Sequence, residues 1–299
     1  MIKDKLYYEF LKPDFVYIPF DDRTLLNIKL NMYVYANKVL GKNRNGENIF
    51  STCSGKIIDL KEINTVNGKI NSMVVENDFK EKRSKLIGMK RNLQVYNKES
   101  LLEKLEEYSL NYFNSAKNLI VLVEYSKNID NSDAYTLKEN IDEILEVIDA
   151  LGTILDINTT VVANNKDEES LENLYEHIGT YPNIYLDTVS KEYKKESYEN
   201  LAKRIYKNEN TVVLTLDTIY EILFAIKKNK NLTNKIISLS YENKLININV
   251  KIGTRVEELL SYLNIKVSKN KICLYKDELV SVDLESAIIT KDLKSIYIK

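Results

Sequence analysis

The chain has 299 residues, 44% hydrophobic and 29% charged, with a net charge of −1. That length suits two or three domains, and the near-neutral balance excludes a whole-chain field for nucleic acid or anionic lipid. Two distant cysteines (Cys53, Cys273) and a lone histidine (His177) exclude a cysteine-bound iron–sulfur cluster, a paired-cysteine zinc site and a histidine-rich metal site. Acid–base chemistry would fall to carboxylates. No apolar run approaches a membrane span. Met1-Ile2-Lys3-Asp4-Lys5 lacks the apolar core of a signal peptide, so the expected compartment is the cytoplasm.

The first eighty residues read as β. Phe15 to Pro19 is extended, and Leu26, Ile28 and Leu30 alternate onto one face. Short strands follow at Met32–Tyr35 and Lys38–Leu40, then a turn over 41–46 and a strand at Ile49-Phe50. Lys56 to Leu60 is a strand, and Gly55 before it reads as a turn at the tip of the module, where a Cβ would crowd the crossing strand. Cys53 reads as packed, because only Lys56 is near in sequence to stabilise a thiolate. Asn67-Gly68 is a hairpin signal, and Lys69 to Glu76 closes the module. Strands this short and close suggest a small barrel or sandwich.

From about Leu86, helix and strand alternate. Lys98 to Phe113 is predicted helical, with Leu101, Leu102, Leu105, Tyr108 and Tyr112 on one side. Asn118 to Val123 is a continuous apolar strand of the kind covered on both faces. Ser132 or Asp133 starts a helix in which Leu137, Ile141, Ile144, Leu145, Ile148 and Leu151 form one stripe, and Gly152 stands where a C′ residue belongs. A strand at Thr159–Ala163 precedes a helix at Glu168–Ile178, with Leu171, Leu174, Tyr175 and Ile178 inward. Strands at 183–186, 211–216 and 235–239 enclose helices at 192–206 and after Asp217, read as an N-cap. This alternation argues a parallel sheet with helices on both faces. In the tail, Leu245 to Lys251 is a strand and Gly253 a turn. Thr254 and Glu257 form a T-x-x-E capping box before a helix at Val256–Leu263. Strands at 271–275, 278–280 and 295–298 complete a small β-grasp-like unit.

Read in order, several stretches resemble RnfC, the subunit of ion-pumping electron-transport complexes, and its cousin, the NADH-binding subunit of respiratory complex I. They are Tyr17 to Phe20 (YIPF), Ser54 to Leu60 (SGKIIDL), Met73 to Asp78 (MVVEND), Asn118 to Glu124 (NLIVLVE), Thr136 to Leu145, Asp217 to Ile226, Val250 to Leu260 (VKIGTRVEELL) and Ile288 to Ile298. The resemblance implies a barrel-sandwich hybrid β-module over 1–82. It implies a Rossmann-like α/β domain over 83–243 and a β-grasp, soluble-ligand-binding (SLBB-like) unit over 244–299. No modified lysine beside a methionine appears, so a covalent swinging arm is not expected.

The departures are equally informative. Where such relatives keep a glycine-rich, phosphate-cradling loop, this chain has Leu86 to Tyr96 with Gly88 alone. Where they keep an acidic pair near flavin, only Glu124 stands close to the strand. A second glycine pair is replaced by Lys191 to Asn200. The expected function is that of a degenerate relative with no iron–sulfur cluster, FMN or NADH. It would act as a structural or regulatory component binding a small ligand or a protein partner, such as a membrane electron-transport or reductase subunit, through which it would be peripheral to the membrane. The alternative is an NADH-dependent electron-transfer subunit holding FMN or NADH through Gly88, Lys90, Arg91 and Glu124. The basic run Lys80, Lys82, Arg83, Lys85, Lys90 and Arg91 reads as a solvated linker, with phosphate holding as its alternative. Lys191, Lys194 and Lys195, interleaved with Glu192 and Glu196, read as an exposed helix face. His177 reads as a solvated helix C-terminal residue. Asp142, Glu143, Asp167, Glu168 and Glu169 read as helix-surface carboxylates.

Overall fold

A computed structural model describes residues 7–84, 92–190, 197–207, 210–267 and 270–298. Among them the chain is mixed α/β, with six α-helices and four sheets, one of them all-parallel. None of these helices is long and apolar enough to cross a membrane. The strands are β1 (Tyr7–Phe10), β2 (Phe15–Phe20), β3 (Leu25–Leu26), β4 (Tyr33–Val34), β5 (Val39–Lys42), β6 (Asn48–Phe50), β7 (Gly55–Thr65), β8 (Gly68–Asn77), β9 (Asn118–Leu122), β10 (Asn158–Asn164), β11 (Ile184–Val189), β12 (Thr211–Thr215), β13 (Asn234–Tyr241), β14 (Lys244–Lys251), β15 (Lys271–Tyr275), β16 (Leu279–Asp283) and β17 (Ser295–Tyr297). The helices are α1 (Lys98–Glu107), α2 (Ser132–Leu155), α3 (Glu168–His177), α4 (Tyr198–Tyr206), α5 (Leu216–Ile226) and α6 (Val256–Tyr262). The chain forms two compact units, one from segments within 1–86, 128–132 and 231–299, the other within 87–127 and 133–230.

In the first unit, β2-β8-β7-β4 form one antiparallel sheet and β3-β5-β6 another. Apolar side chains of both bury Val16, Ile18, Val34, Leu40, Cys53, Ile57, Met73 and Val75. Leu26 and Ile28 pack against this core, but Leu30, grouped with them by alternation, is 55% exposed. β7 and β8 pair as expected, Lys56 opposite Glu76 and Leu60 opposite Met73. Gly55 is the first paired residue of β7, opposite Asn77, not a turn, and a Cβ there would lie 1.9 Å from the Glu76 carbonyl oxygen, which explains the glycine. The hairpin turns one residue earlier than read, at Val66-Asn67, with Gly68 following at φ +101°. The Thr65 hydroxyl fixes it there by accepting the Asn67 N–H (3.1 Å) and donating to the Gly68 carbonyl (2.8 Å).

The six-stranded sheet of the same unit runs β1-β14-β13-β17-β15-β16. Two strands here depart from the sequence reading. Tyr7–Phe10 joins this sheet, parallel to β14, rather than the N-terminal module. β13, read as part of the α/β alternation, pairs antiparallel with β14. The reason is the connection: only Glu242 and Asn243 join them, both at positive φ (+49° and +60°), as in a tight hairpin turn. A parallel crossover needs a dozen residues or more. The capping box is absent, since α6 begins after Arg255 without a side-chain cap. Thr254 instead donates to the Lys251 carbonyl (2.7 Å), and Glu257 pairs with Arg255. Gly253, at φ +97°, lies against β2, whose Tyr17 N–H donates to its carbonyl (2.8 Å).

The second unit holds the parallel sheet β11-β10-β9-β12. All five residues of β9 are buried. On α2, Leu137, Ile141, Ile144, Leu145, Ile148 and Leu151 are buried, as their spacing predicts. Gly152 does not end this helix, which runs on to Leu155 and stops at Asp156 (φ +56°). Gly152 is instead a packing position, where a Cβ would sit 3.0 Å from Thr159 Cγ2. α1 stops at Glu107, six residues short of the expected end, because Ser109 turns left-handed (φ +61°). Tyr175, read as inward, is exposed. The charged run at 191–196 lies outside the described residues.

Candidate functional site

An open parallel sheet offers its ligand crevice beyond the carboxyl ends of its strands, where strand order reverses. In sequence order the four strands lie third, second, first, fourth, so the reversal falls between β9 and β12. Glu124 follows β9 there. Its N–H donates to Asp133 Oδ2 in the first turn of α2 (2.8 Å), and its Oε1 accepts from the Tyr198 hydroxyl (3.4 Å). Two neighbouring helix starts are capped by the chain's own side chains. Asp167 caps α3 by accepting the Ser170 N–H (3.2 Å), and Glu168 and Glu169 follow in the first turn. Thr215, not the expected Asp217, caps α5 by accepting the Thr218 N–H (3.4 Å). Helix N-termini attract anions through free N–H groups and the positive end of the dipole. Here the chain's own oxygens already satisfy part of that demand, and the added carboxylates oppose a phosphate. No glycine occurs in 124–131, 165–167 or 190–197. Among the described residues no His, Cys, Asp and Glu cluster fits a metal ion.

A second polar constellation lies in the first unit, just after β8. The Asp78 carboxylate accepts the Ser54 hydroxyl (2.5 Å), the Lys80 N–H (3.0 Å) and the Tyr33 hydroxyl. Partial burial pushes this carboxyl up, but the hydrogen bonds from Ser54, Tyr33 and the Lys80 backbone outweigh it and hold the group at about 2. Ser54 also accepts the Lys82 N–H (3.0 Å). Lys82 Nζ stands 5.8 Å from the Tyr33 ring centre, and Tyr35 meets Tyr33 edge-on at 5.2 Å. Phe79 (φ +58°) and Glu81 (φ +46°) occupy left-handed backbone, and Phe79 is 48% exposed.

No protein-family model and no curated protein matches the sequence. Solved structures that match include an NAD+-reducing NiFe hydrogenase in its H2-reduced state, with TM-score 0.45 and 5% identity over 68% of this chain and 47% of that one. The air-oxidized form matches with TM-score 0.45 and 7% identity over 69% of this chain and 49% of that one. The chain thus spans less than half the length of those chains.

Of the residues named for cofactor holding, Glu124 sits at the strand-order reversal, while Gly88, Lys90 and Arg91 lie outside the described residues. His177 ends α3, and its Nδ1 lies 2.8 Å from Asp142 Oδ1. That end of α3 is opposite the one capped by Asp167. Glu143 pairs with Lys227 (3.5 Å) and with Lys228. Burial pushes the Cys53 thiol up to about 12, so it stays protonated and packed. Sequence reading missed the Asp78 constellation, although Asp78-Phe79-Lys80 carried a signal: an aromatic residue set among charges with no apolar periodicity around it.

Proposed function

We propose that the chain is a relative of RnfC-like electron-transport subunits that works without redox centres, as a structural or regulatory component on a protein partner. In this reading the β2–β8 module is a barrel-sandwich hybrid, the parallel sheet is Rossmann-like, and α6 with β13–β17 is β-grasp-like. The observation that carries it is the occupancy of backbone N–H groups beyond the carboxyl ends of the parallel strands. Asp133 takes the Glu124 N–H, Asp167 takes that of Ser170, and Thr215 takes that of Thr218. A flavin or nicotinamide phosphate needs several N–H groups converging on it, and carboxylates at such a place repel it.

Titration of the purified protein with FMN and with NADH, followed by fluorescence and calorimetry, tests the reading. The expected result is no saturable binding at micromolar concentration. Saturable binding of either, lost on changing Lys90 and Arg91 to Ala, would overturn it and restore the electron-transfer alternative.

A further inference from the structure

We infer that the aromatic and basic face formed by Tyr33, Tyr35, Phe79, Lys80, Lys82 and Arg83 is a docking surface for an acidic protein segment bearing apolar side chains. The inference rests on the proposed binding role and names the surface and chemistry of the partner. Four observations carry it. The first is exposure: Tyr33, Tyr35 and Phe79 are 37%, 41% and 48% exposed, and all three lie in the two segments that also carry the exposed Lys80, Lys82 and Arg83 or pair with them. The second is continuity. Tyr33 touches Tyr35 through its ring and Asp78 through its hydroxyl, and the Ala36 N–H donates to the Lys82 carbonyl (2.9 Å), so both segments lie side by side.

The third observation is charge. Glu81, the acid within the loop, is turned to the buried Lys251 (3.5 Å), and Asp78 is turned to Ser54 and Tyr33. Among the described residues neither Lys82 nor Arg83 forms an ion pair, so the loop presents exposed cations in a chain of net charge −1. That local sign selects an acidic partner. The fourth is conformation. An aromatic residue in left-handed backbone costs on the order of 1 kcal/mol. Here that conformation turns Phe79 outward while Asp78 pins the loop beneath it. An exposed, pre-positioned aromatic followed in sequence by Lys80, Lys82 and Arg83 has the composition of an interface anchor.

Aromatic and basic residues also suit single-stranded nucleic acid, which stacks bases on free ring faces along a basic track. Tyr33 has Lys82 over its face and Tyr35 against it, and the cations cluster within four residues rather than along a track. The protein partner is therefore the better fit.

The test uses the full chain and two fluorescein-labelled probes: a peptide of about twelve residues alternating Glu pairs with Leu or Phe, and an oligouridylate of equal charge. The peptide should bind saturably, weakening by about tenfold between roughly 50 and 300 mM salt as surface charge is screened. Charge reversal in K80E/K82E/R83E should cost about tenfold or more in affinity, and F79S several-fold, with melting temperatures held near that of the unaltered chain. No saturable peptide binding, or binding that the triple variant retains, would overturn the inference. Tighter binding of the oligouridylate would overturn it in favour of nucleic acid. Failure here with FMN and NADH still unbound leaves the proposed function standing. FMN binding with the peptide site intact removes the proposed function and leaves this surface.

Discussion

The parallel-sheet edge beside Glu124 and the loop after β8 both place a carboxylate where backbone N–H groups are free, and they use it in opposite ways. Beyond the strand ends, Asp133 takes the N–H of Glu124, which follows β9, and Asp167 takes the Ser170 N–H at the start of α3, which closes those N–H groups to an outside anion. After β8, Asp78 gathers Ser54, Tyr33 and the Lys80 N–H inward, and the side chains left facing out are cations and an aromatic ring. The same acid–N–H bond thus shuts one surface and displays another. What differs is the scaffold. A helix start converges its N–H groups on one point, whereas a strand end lets alternate side chains diverge.

The comparison requires that the sheet edge stand on a rigid helix, and this gives the largest expected effect. Leu145 is fully buried on α2. Leu145→Ala should cost about 2–5 kcal/mol, the sum of lost transfer energy and a cavity, measured by urea unfolding with circular dichroism. An unchanged midpoint would mean that α2 is not packed on the sheet. The display side has an equivalent foundation at Gly55, beside the Ser54 that binds Asp78. A Cβ there would meet the Glu76 carbonyl oxygen at 1.9 Å. Gly55→Ala should cost about 1–3 kcal/mol through strand displacement, and it should weaken peptide binding as the Ser54–Asp78 bond shifts.

The next effect separates the two carboxylates by pH. Asp78 is held at about 2, below its usual 3.8. A depressed carboxyl contributes stability that is complete above 3.8 and is lost as the pH falls through about 2. Solvent at this partly exposed site screens the contribution to on the order of 1 kcal/mol. Urea unfolding followed by circular dichroism across that window should show the loss, and Asp78→Asn should remove the pH dependence. A pH dependence that survives the substitution belongs to another group. On the closing side, Thr215→Ala should cost about 0.5–1 kcal/mol from loss of a helix cap, read as a small drop in melting temperature. If FMN binding then appears, the cap was what excluded it.

How much of this could be read from sequence depends on whether the deciding partner was local. The α2 stripe and the unbroken apolar run of β9 were legible because burial on a helix face or in a covered sheet imposes its own period. Gly55 was legible as a crowded position, since only close approach of another strand justifies a glycine there. The pairing of β13 was not, although a two-residue link was visible, because Glu242-Asn243 lacks the glycine that usually marks a left-handed turn. The joining of Tyr7–Phe10 to β14 was not, because its partner lies some 240 residues along the chain. At the site, Glu124 was identified from its place after a strand. Thr215 was missed because Asp217 is the stronger cap by type, and geometry rather than type chose the residue.

The smallest expected effect is the sharpest test of the contrast, because it should move stability and binding in opposite directions. Phe79 holds φ +58°, a conformation that costs a bulky side chain energy and that asparagine tolerates. Its ring is half exposed, so removing it forfeits little burial. Phe79→Asn should therefore raise stability by a few tenths to about 1 kcal/mol, measured by urea unfolding, while reducing affinity for the acidic peptide. A purely structural ring would do the reverse, since its loss would lower stability and leave peptide affinity unchanged. A residue that the fold would be more stable without, next in sequence to three exposed cations, is held there by something other than folding. The sheet edge offers no such position, because Asp133 and Asp167 each accept a backbone N–H, and replacing either should lower stability without opposing gain.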